Sequence, residues 1–163
     1  MDAPAQPNAR EREVWRLLAA VSDPEIPVLS VVDLGIVREV RWRETLGPLV
    51  RITPTYTACP ASEVIHASIV ATLERAGFAH ACVQTVLTPP WSSTWLTEAG
   101  RRKLREFGIA PPDPSAERVG SAPACPRCGS RATRRIAEFG STPCKAHYQC
   151  SACLEPFDYF KCY

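Results

Sequence analysis

What this sequence lacks narrows its chemistry before any motif is read. No apolar run approaches the ~20 residues that a membrane-crossing helix needs, so no membrane partner is expected. Met1 to Asn8 is polar and contains proline, with none of the apolar core of a secretory signal. A reducing cytoplasm is therefore the expected compartment, where thiols stay free or hold metal rather than pair as disulfides. Charge of one sign is missing too: 19 Lys and Arg against 17 Asp and Glu leave a net +2, which is no basic stripe for nucleic acid. A pair of Glu-x-x-His helices, a glycine-rich dinucleotide loop and a ferredoxin-type cysteine run are all missing. That excludes a resident di-iron, dinucleotide or ferredoxin-cluster site.

What the chain has instead is proline and cysteine, 16 and 8 among 163 residues. One cysteine stands in the stretch Thr53-Pro54-Thr55-Tyr56-Thr57-Ala58-Cys59-Pro60. A strand over Leu49 to Thr53, with Val50 and Ile52 alternating against Arg51 and Thr53, runs into it, and Pro54 ends the ladder because it has no N–H to give. A helix runs out of it, since Ile65, Ile69, Leu73 and Ala76 recur at helical spacing. Pro60 suits the first helical position, which places Cys59 at the N-cap. A helix N-terminus stabilises a thiolate and brings a thiol from about 8.5 into the range of about 3.5 to 7.5. Two readings of Cys59 stand: a nucleophile or metal and cluster ligand, or a small buried cap residue.

Taken in order, Ala9 to Val21 is predicted as a helix with Val14, Leu17, Leu18 and Val21 on its apolar side. The prolines of Asp23-Pro24-Glu25-Ile26-Pro27 stop it and present Asp23 and Glu25 from a stiff loop, whose plain reading is turn chemistry. Asp33-Leu34-Gly35 turns into a strand at Ile36 to Trp42, and Gly47-Pro48 closes a hairpin with Leu49 to Thr53. Cys82 to Thr88 reads as a third strand, and Leu96, Gly100, Leu104 and Phe107 mark one face of a last helix. The order α-β-β-α-β-α predicts an α+β layer domain over residues 9–110 with helices on one sheet face. His66 lies seven positions beyond Cys59, about 10 Å along a helix and too far to act as its base. His80 falls in a loop and reads as a surface residue.

Residues 111–124 open with Pro111-Pro112-Asp113-Pro114 and read as a semi-rigid linker. The remaining 125–163 segment is too short to fold on a core alone. Its ligands are explicit: Cys125-Pro126-Arg127-Cys128 and Cys150-Ser151-Ala152-Cys153 are two C-x-x-C turns separated by 21 residues, the pattern of a tetrathiolate zinc β-ribbon. Rubredoxin-like iron is the rival metal. Cys144 and Cys162 are left over, either inert or a thiol pair near the ribbon.

Asp23-Pro24-Glu25-Ile26-Pro27, Asp33-Leu34-Gly35, the T-x-x-x-C-P run Thr55 to Pro60 and Pro90-Trp91, in this order, resemble the iron-sulfur cluster assembly domain of SufT-like proteins. With the ribbon and the stretches Phe139 to Ala146 and Glu155 to Cys162, the whole chain resembles the PaaD family of bacterial phenylacetyl-CoA epoxidase systems. The resemblance implies a role in aerobic phenylacetate catabolism. It implies as partners the epoxidase subunits and an iron-sulfur flavoprotein reductase, with the redox step belonging to them. It also carries the functional positions onto Asp23, Glu25, Thr55 and Cys59.

Three functions follow as expectations. The first is a maturation factor that helps insert an iron-sulfur cluster or iron, with Cys59 as transient ligand and Cys125, Cys128, Cys150 and Cys153 holding structural zinc. The second is a purely structural subunit of the oxygenase assembly. The third, a nucleic-acid binder using Arg127, Arg131, Arg134 and Arg135, is disfavoured by the near-neutral charge.

Overall fold

The structure is a computed structural model and describes residues 7–57, 59–113 and 122–162. Two compact units divide it, Met1–Pro90 and Trp91–Tyr163.

In the first unit, α1 (Ala9–Leu18) begins at a capping box: Asn8 accepts from the Glu11 N–H, and Glu11 accepts from the Asn8 N–H. Glu11 has a second use, since its Oε1 accepts the Trp42 N–H at 2.8 Å and ties the helix to the neighbouring strand. The helix stops at Leu18 rather than reaching Val21. The chain from Val21 onward instead pairs with 29–31, where Val31 donates to Val21 and Asp23 donates to Leu29. The turn at Asp33 is closed by Ser30, whose N–H and hydroxyl both donate to Asp33 Oδ2, and Gly35 follows at φ +66°. That left-handed conformation is one glycine adopts without cost.

Strand β1 (Val37–Arg43) pairs antiparallel with β2 (Gly47–Ile52), and β2 pairs parallel with β3 (Cys82–Thr85), giving the order β1-β2-β3. The crossover between the parallel strands is α2 (Ala61–Arg75). Helix α1 packs on β1 and α2, and α2 packs on β3. The apolar faces meet in a core of Val14, Leu18, Val50, Ile52, Ile65, Ile69 and Leu73, all buried. Strand β3 is shorter than the predicted Cys82 to Thr88, because β2 ends at Ile52 and offers only one further acceptor, to the Val86 N–H.

The last helix of the predicted α+β domain, α3 (Glu98–Glu106), belongs to the second unit, so the boundary between units differs from the 9–110 and 111–124 division read from the sequence. Two features draw the chain from Trp91 onward to the ribbon. Buried Trp91 packs edge-on against Phe160, and β4 (Ile109–Ala110), which α3 covers, pairs parallel with β7 (Pro156–Phe160). Thr97 caps α3 through the Gly100 N–H. Phe107 is not on its apolar face but past its end and exposed. The ribbon strands β5 (Thr133–Ala137) and β6 (Lys145–Cys150) complete the sheet β4-β7-β6-β5. Of the expected linker, 114–121 lies outside the described residues. Its two ends are held, by Arg101 donating to the Pro112 carbonyl and by Thr133 donating to the Pro123 carbonyl.

Candidate functional site

The β2-α2-β3 crossover sets the first site. In parallel α/β units the crevice for ligands lies beyond the carboxyl ends of the strands, where helix N-termini also point. Here that crevice is lined by Asp23, Ile36, Ile52, Pro54, Thr55, Cys59, Ser62, Ile65 and Thr85. Three of the four residues singled out in the sequence, Asp23, Thr55 and Cys59, therefore meet in one cleft. Glu25 is not among its lining residues.

Asp23 is 7% exposed, and its Oδ1 accepts the N–H groups of Glu25 and Ile26, each at 2.8 Å. The turn chemistry expected of this loop is thus real, and it holds the carboxyl of Asp23 rigidly at the cleft. Cys59 sits one residue earlier than expected. Pro60 occupies the N-cap with no side-chain cap, while the Cys59 carbonyl accepts the Ser62 N–H at 3.1 Å. The thiol is half-buried. Ser62, not foreseen in the sequence, has its hydroxyl buried without a hydrogen-bond partner. Its only sequence signal was a hydroxyl one turn beyond Cys59.

The cleft holds about 20 Å³. That is room for one water or one ion, a few per cent of what an organic cofactor or drug-sized ligand fills. Its polar inventory of one thiol, one carboxyl and the hydroxyls of Thr55, Ser62 and Thr85 suits a metal ion's first contacts rather than a metal's closed shell. The other cysteine of this unit, Cys82, opens β3, three residues and about 10 Å before Thr85 at the cleft. His66 bonds the Val83 carbonyl at 3.2 Å and His80 is exposed, so neither serves Cys59.

The second site is the four-cysteine cluster of Cys125, Cys128, Cys150 and Cys153, whose sulfurs all lie within 4.8 Å of one another. Cys125 and Cys153 are 3.8 Å apart and Cys128 and Cys150 3.6 Å. A tetrahedral ion with bonds of about 2.3 Å places its sulfurs about 3.8 Å apart, so the donor set fits a tetrathiolate metal. The knuckles are built alike: the Cys125 N–H donates to the Ser130 carbonyl and the Cys150 N–H donates to the Glu155 carbonyl, each at 2.9 Å, and the Arg127 side chain joins the two through the Glu155 carboxylate at 3.0 Å. The residue after each second cysteine is left-handed, Gly129 at φ +76° and Leu154 at φ +65°. Without metal, the Cys153 N–H draws the Cys150 thiol down to about 7 against the opposing effect of burial. The Glu155 N–H lowers the Cys153 thiol, but burial and the three other thiols together push it up to about 12.

Cys144 and Cys162 are not beside this metal site. Cys144 lies six residues before Cys150, about 20 Å along an extended strand, and contacts the Thr142 hydroxyl at 3.0 Å. Cys162 contacts the Tyr159 hydroxyl at 3.3 Å and packs on the ribbon core. The arginines considered for nucleic acid are engaged within the chain, Arg127 with Glu155, Arg131 with Asp113, Arg134 with Gln149 and Arg135 with Glu138.

Comparison with known proteins gives two family matches, an iron-sulfur cluster assembly protein family over residues 11–78 and a PaaD zinc beta ribbon domain over residues 110–161. The chain is 46% identical over 152 residues to the D component of the "Putative 1,2-phenylacetyl-CoA epoxidase" of Escherichia coli (strain K12), covering 92% of each chain. It is 30% identical over 95 residues to an "Fe-S protein maturation auxiliary factor" of Porphyromonas gingivalis (strain ATCC BAA-308 / W83), covering 58% of this chain and 90% of that protein. The crystal structure of a domain of unknown function, DUF59, from Bacillus anthracis superposes with a TM-score of 0.56 at 28% identity, covering 59% of this chain and 92% of the other.

Proposed function

The chain belongs to the PaaD family, and from that premise we propose that it is the accessory component that brings iron or an iron-sulfur cluster to a 1,2-phenylacetyl-CoA epoxidase system. Cys59 is the transient ligand, Asp23 and Thr55 border it, and Cys125, Cys128, Cys150 and Cys153 hold zinc that keeps the ribbon folded.

One observation carries this reading: a single thiol opens on an ion-sized cleft with Asp23, Thr55 and an unpartnered Ser62 hydroxyl. A stable cluster takes four cysteine ligands, and a stable zinc site takes three or four. The cleft offers one thiolate and a few oxygens, so iron held there keeps coordination positions for an acceptor's ligands. Ligand exchange then moves it without any change of oxidation state. A deficient first shell is poor for storage and suited to delivery. The four-thiolate site is the opposite case, closed and therefore structural. The iron-sulfur cluster assembly family matches residues 11–78, the part of the chain that contains Asp23, Thr55, Cys59 and Ser62.

The name of the Escherichia coli relative favours a second reading, a structural subunit of the oxygenase assembly in which Cys59 has no chemistry. Iron and acid-labile sulfide in the epoxidase system, purified from cells with and without this chain, separate the two. Metal-deficient protein that still assembles supports delivery. Fully loaded protein that fails to assemble supports the structural role.

A further inference from the structure

The cleft at Cys59 is selective in size as well as in donors. Its volume of about 20 Å³ compares with the roughly 10–15 Å³ of such space that seats one water. The smallest iron-sulfur cluster contains two irons and two sulfides, and a sulfide is larger than a water molecule, so a cluster needs several times this room. The walls are close-packed, with Ile36, Ile52 and Ile65 all buried, and give little scope for widening. At the mouth of the cleft a cluster would fit but would want ligands. Clusters are held by cysteine thiolates, commonly four. The first unit carries two cysteines in its sequence, Cys59 and Cys82, and Cys82 does not line the cleft.

The donors narrow the choice further. Thiolate selects softer metals, whereas carboxylate and hydroxyl oxygens suit harder ones, and the cleft mixes Cys59 with Asp23 and the Ser62 hydroxyl. Zinc's closed shell of three or four strong ligands is met at the ribbon, not here. One thiolate and one carboxylate bring two negative charges, which balance a 2+ ion, while a 3+ ion would leave a net charge among isoleucines. The Ser62 hydroxyl, buried without a partner, gains its first one from such an ion. We propose that the cargo taken at this cleft is a single iron(II) ion, held by the Cys59 thiolate, the Asp23 carboxylate and the Ser62 hydroxyl, and not a preformed cluster. The inference rests on the delivery role proposed above and narrows what is delivered. As the iron–sulfur bond forms, the Cys59 thiol gives its proton to solvent and iron keeps its oxidation state. Transfer to an acceptor's ligands returns a proton to the thiol.

The test uses the zinc-loaded full chain without oxygen, titrated with ferrous ion alone and, separately, with ferrous ion and sulfide. The expected result is one iron per chain beyond the zinc, bound without sulfide, with the Mössbauer signature of iron(II) and a proton released to the buffer. Cys59→Ser and Asp23→Asn should each weaken binding by about 10-fold or more, since even the groups behind a metal ligand are worth roughly that much. Ser62→Ala separates a ligand from a structural hydroxyl: it should bind iron more weakly yet melt no lower than wild type, because the hydroxyl has no partner to lose. Iron taken up only together with sulfide, as a cluster on one chain or bridging two copies, overturns the inference and leaves delivery standing with a cluster as cargo. Ferrous ion that does not bind, or that binds Cys59→Ser as tightly as wild type, overturns it as well. Epoxidase fully loaded in cells lacking this chain refutes delivery itself, whereas the titration alone decides whether the cleft holds an ion.

Discussion

Replacing one thiolate of the ribbon should unfold the second unit and leave the first intact. Cys150→Ser is the sharpest form of the change, because Cys150 is fully buried among Cys125, Ala146, Phe157 and Tyr159. Structural zinc in small domains contributes about 10–16 kcal/mol of binding energy, so one ligand in four corresponds to about 2.5–4 kcal/mol. The serine hydroxyl left in an apolar core adds about 1–3 kcal/mol. Together these reach the lower half of the roughly 5–15 kcal/mol that holds an ordinary domain. Trp91, α3 and β4 should be lost with the ribbon, since Trp91 and β4 pack on β7 and α3 on β4. The assay is calorimetry with metal analysis on the full chain. The expected trace keeps the transition of the first unit and loses that of the second, with bound zinc falling from about one equivalent to a small fraction. A variant that keeps one equivalent and both transitions would refute the view that four thiolates hold this unit together.

Gly140→Ala should lower the melting of the second unit by roughly 4 to 20 °C, because overpacking costs about 1–3 kcal/mol and Asp158 is pinned by Ser141, His147 and Lys145 and cannot swing aside freely. An unchanged melting curve would show that the loop yields. Leu154→Gly should be neutral to stabilising by about 1 kcal/mol with metal retained, since it releases a left-handed side chain at some cost in chain entropy. Loss of zinc in that variant would contradict the knuckle geometry. Asp23→Asn keeps the acceptor for Glu25 and Ile26 and should fold, yet reduce metal loading of the epoxidase, while Glu25→Gln should do nothing. Equal defects in the two would contradict the placement of Asp23 alone at the cleft.

Periodicity and proline placement made the first unit readable, because its helices are amphipathic and its strands are bounded by Gly47, Pro54 and the Pro89-Pro90 pair. The C-x-x-C spacing made the metal cluster readable for a different reason, since ligand geometry imposes it locally. What was hidden depended on distant residues. Nothing near Trp91 announces that it packs on Phe160, or that Ile109 and Ala110 add a strand beside β7, so the contacts that join the last helix to the second unit could not be read from the sequence. The helix start shifted from Cys59 to Pro60 because the Cys59 carbonyl closes a tight turn with Ser62, a choice of one hydrogen bond that no periodicity encodes. The gathering of Asp23 with Thr55 and Cys59 required the parallel pairing of β2 and β3, which sequence order permits without specifying.

The most direct test of delivery through Cys59 is the iron and acid-labile sulfide of epoxidase purified from cells whose copy of this chain carries Cys59→Ser. Serine is nearly isosteric, and the turn there is made by backbone atoms, so the variant should fold and dock. The account predicts assembled epoxidase short of iron or sulfide and failed growth on phenylacetate, with growth on simpler carbon sources intact. Fully loaded epoxidase and wild-type growth would contradict it.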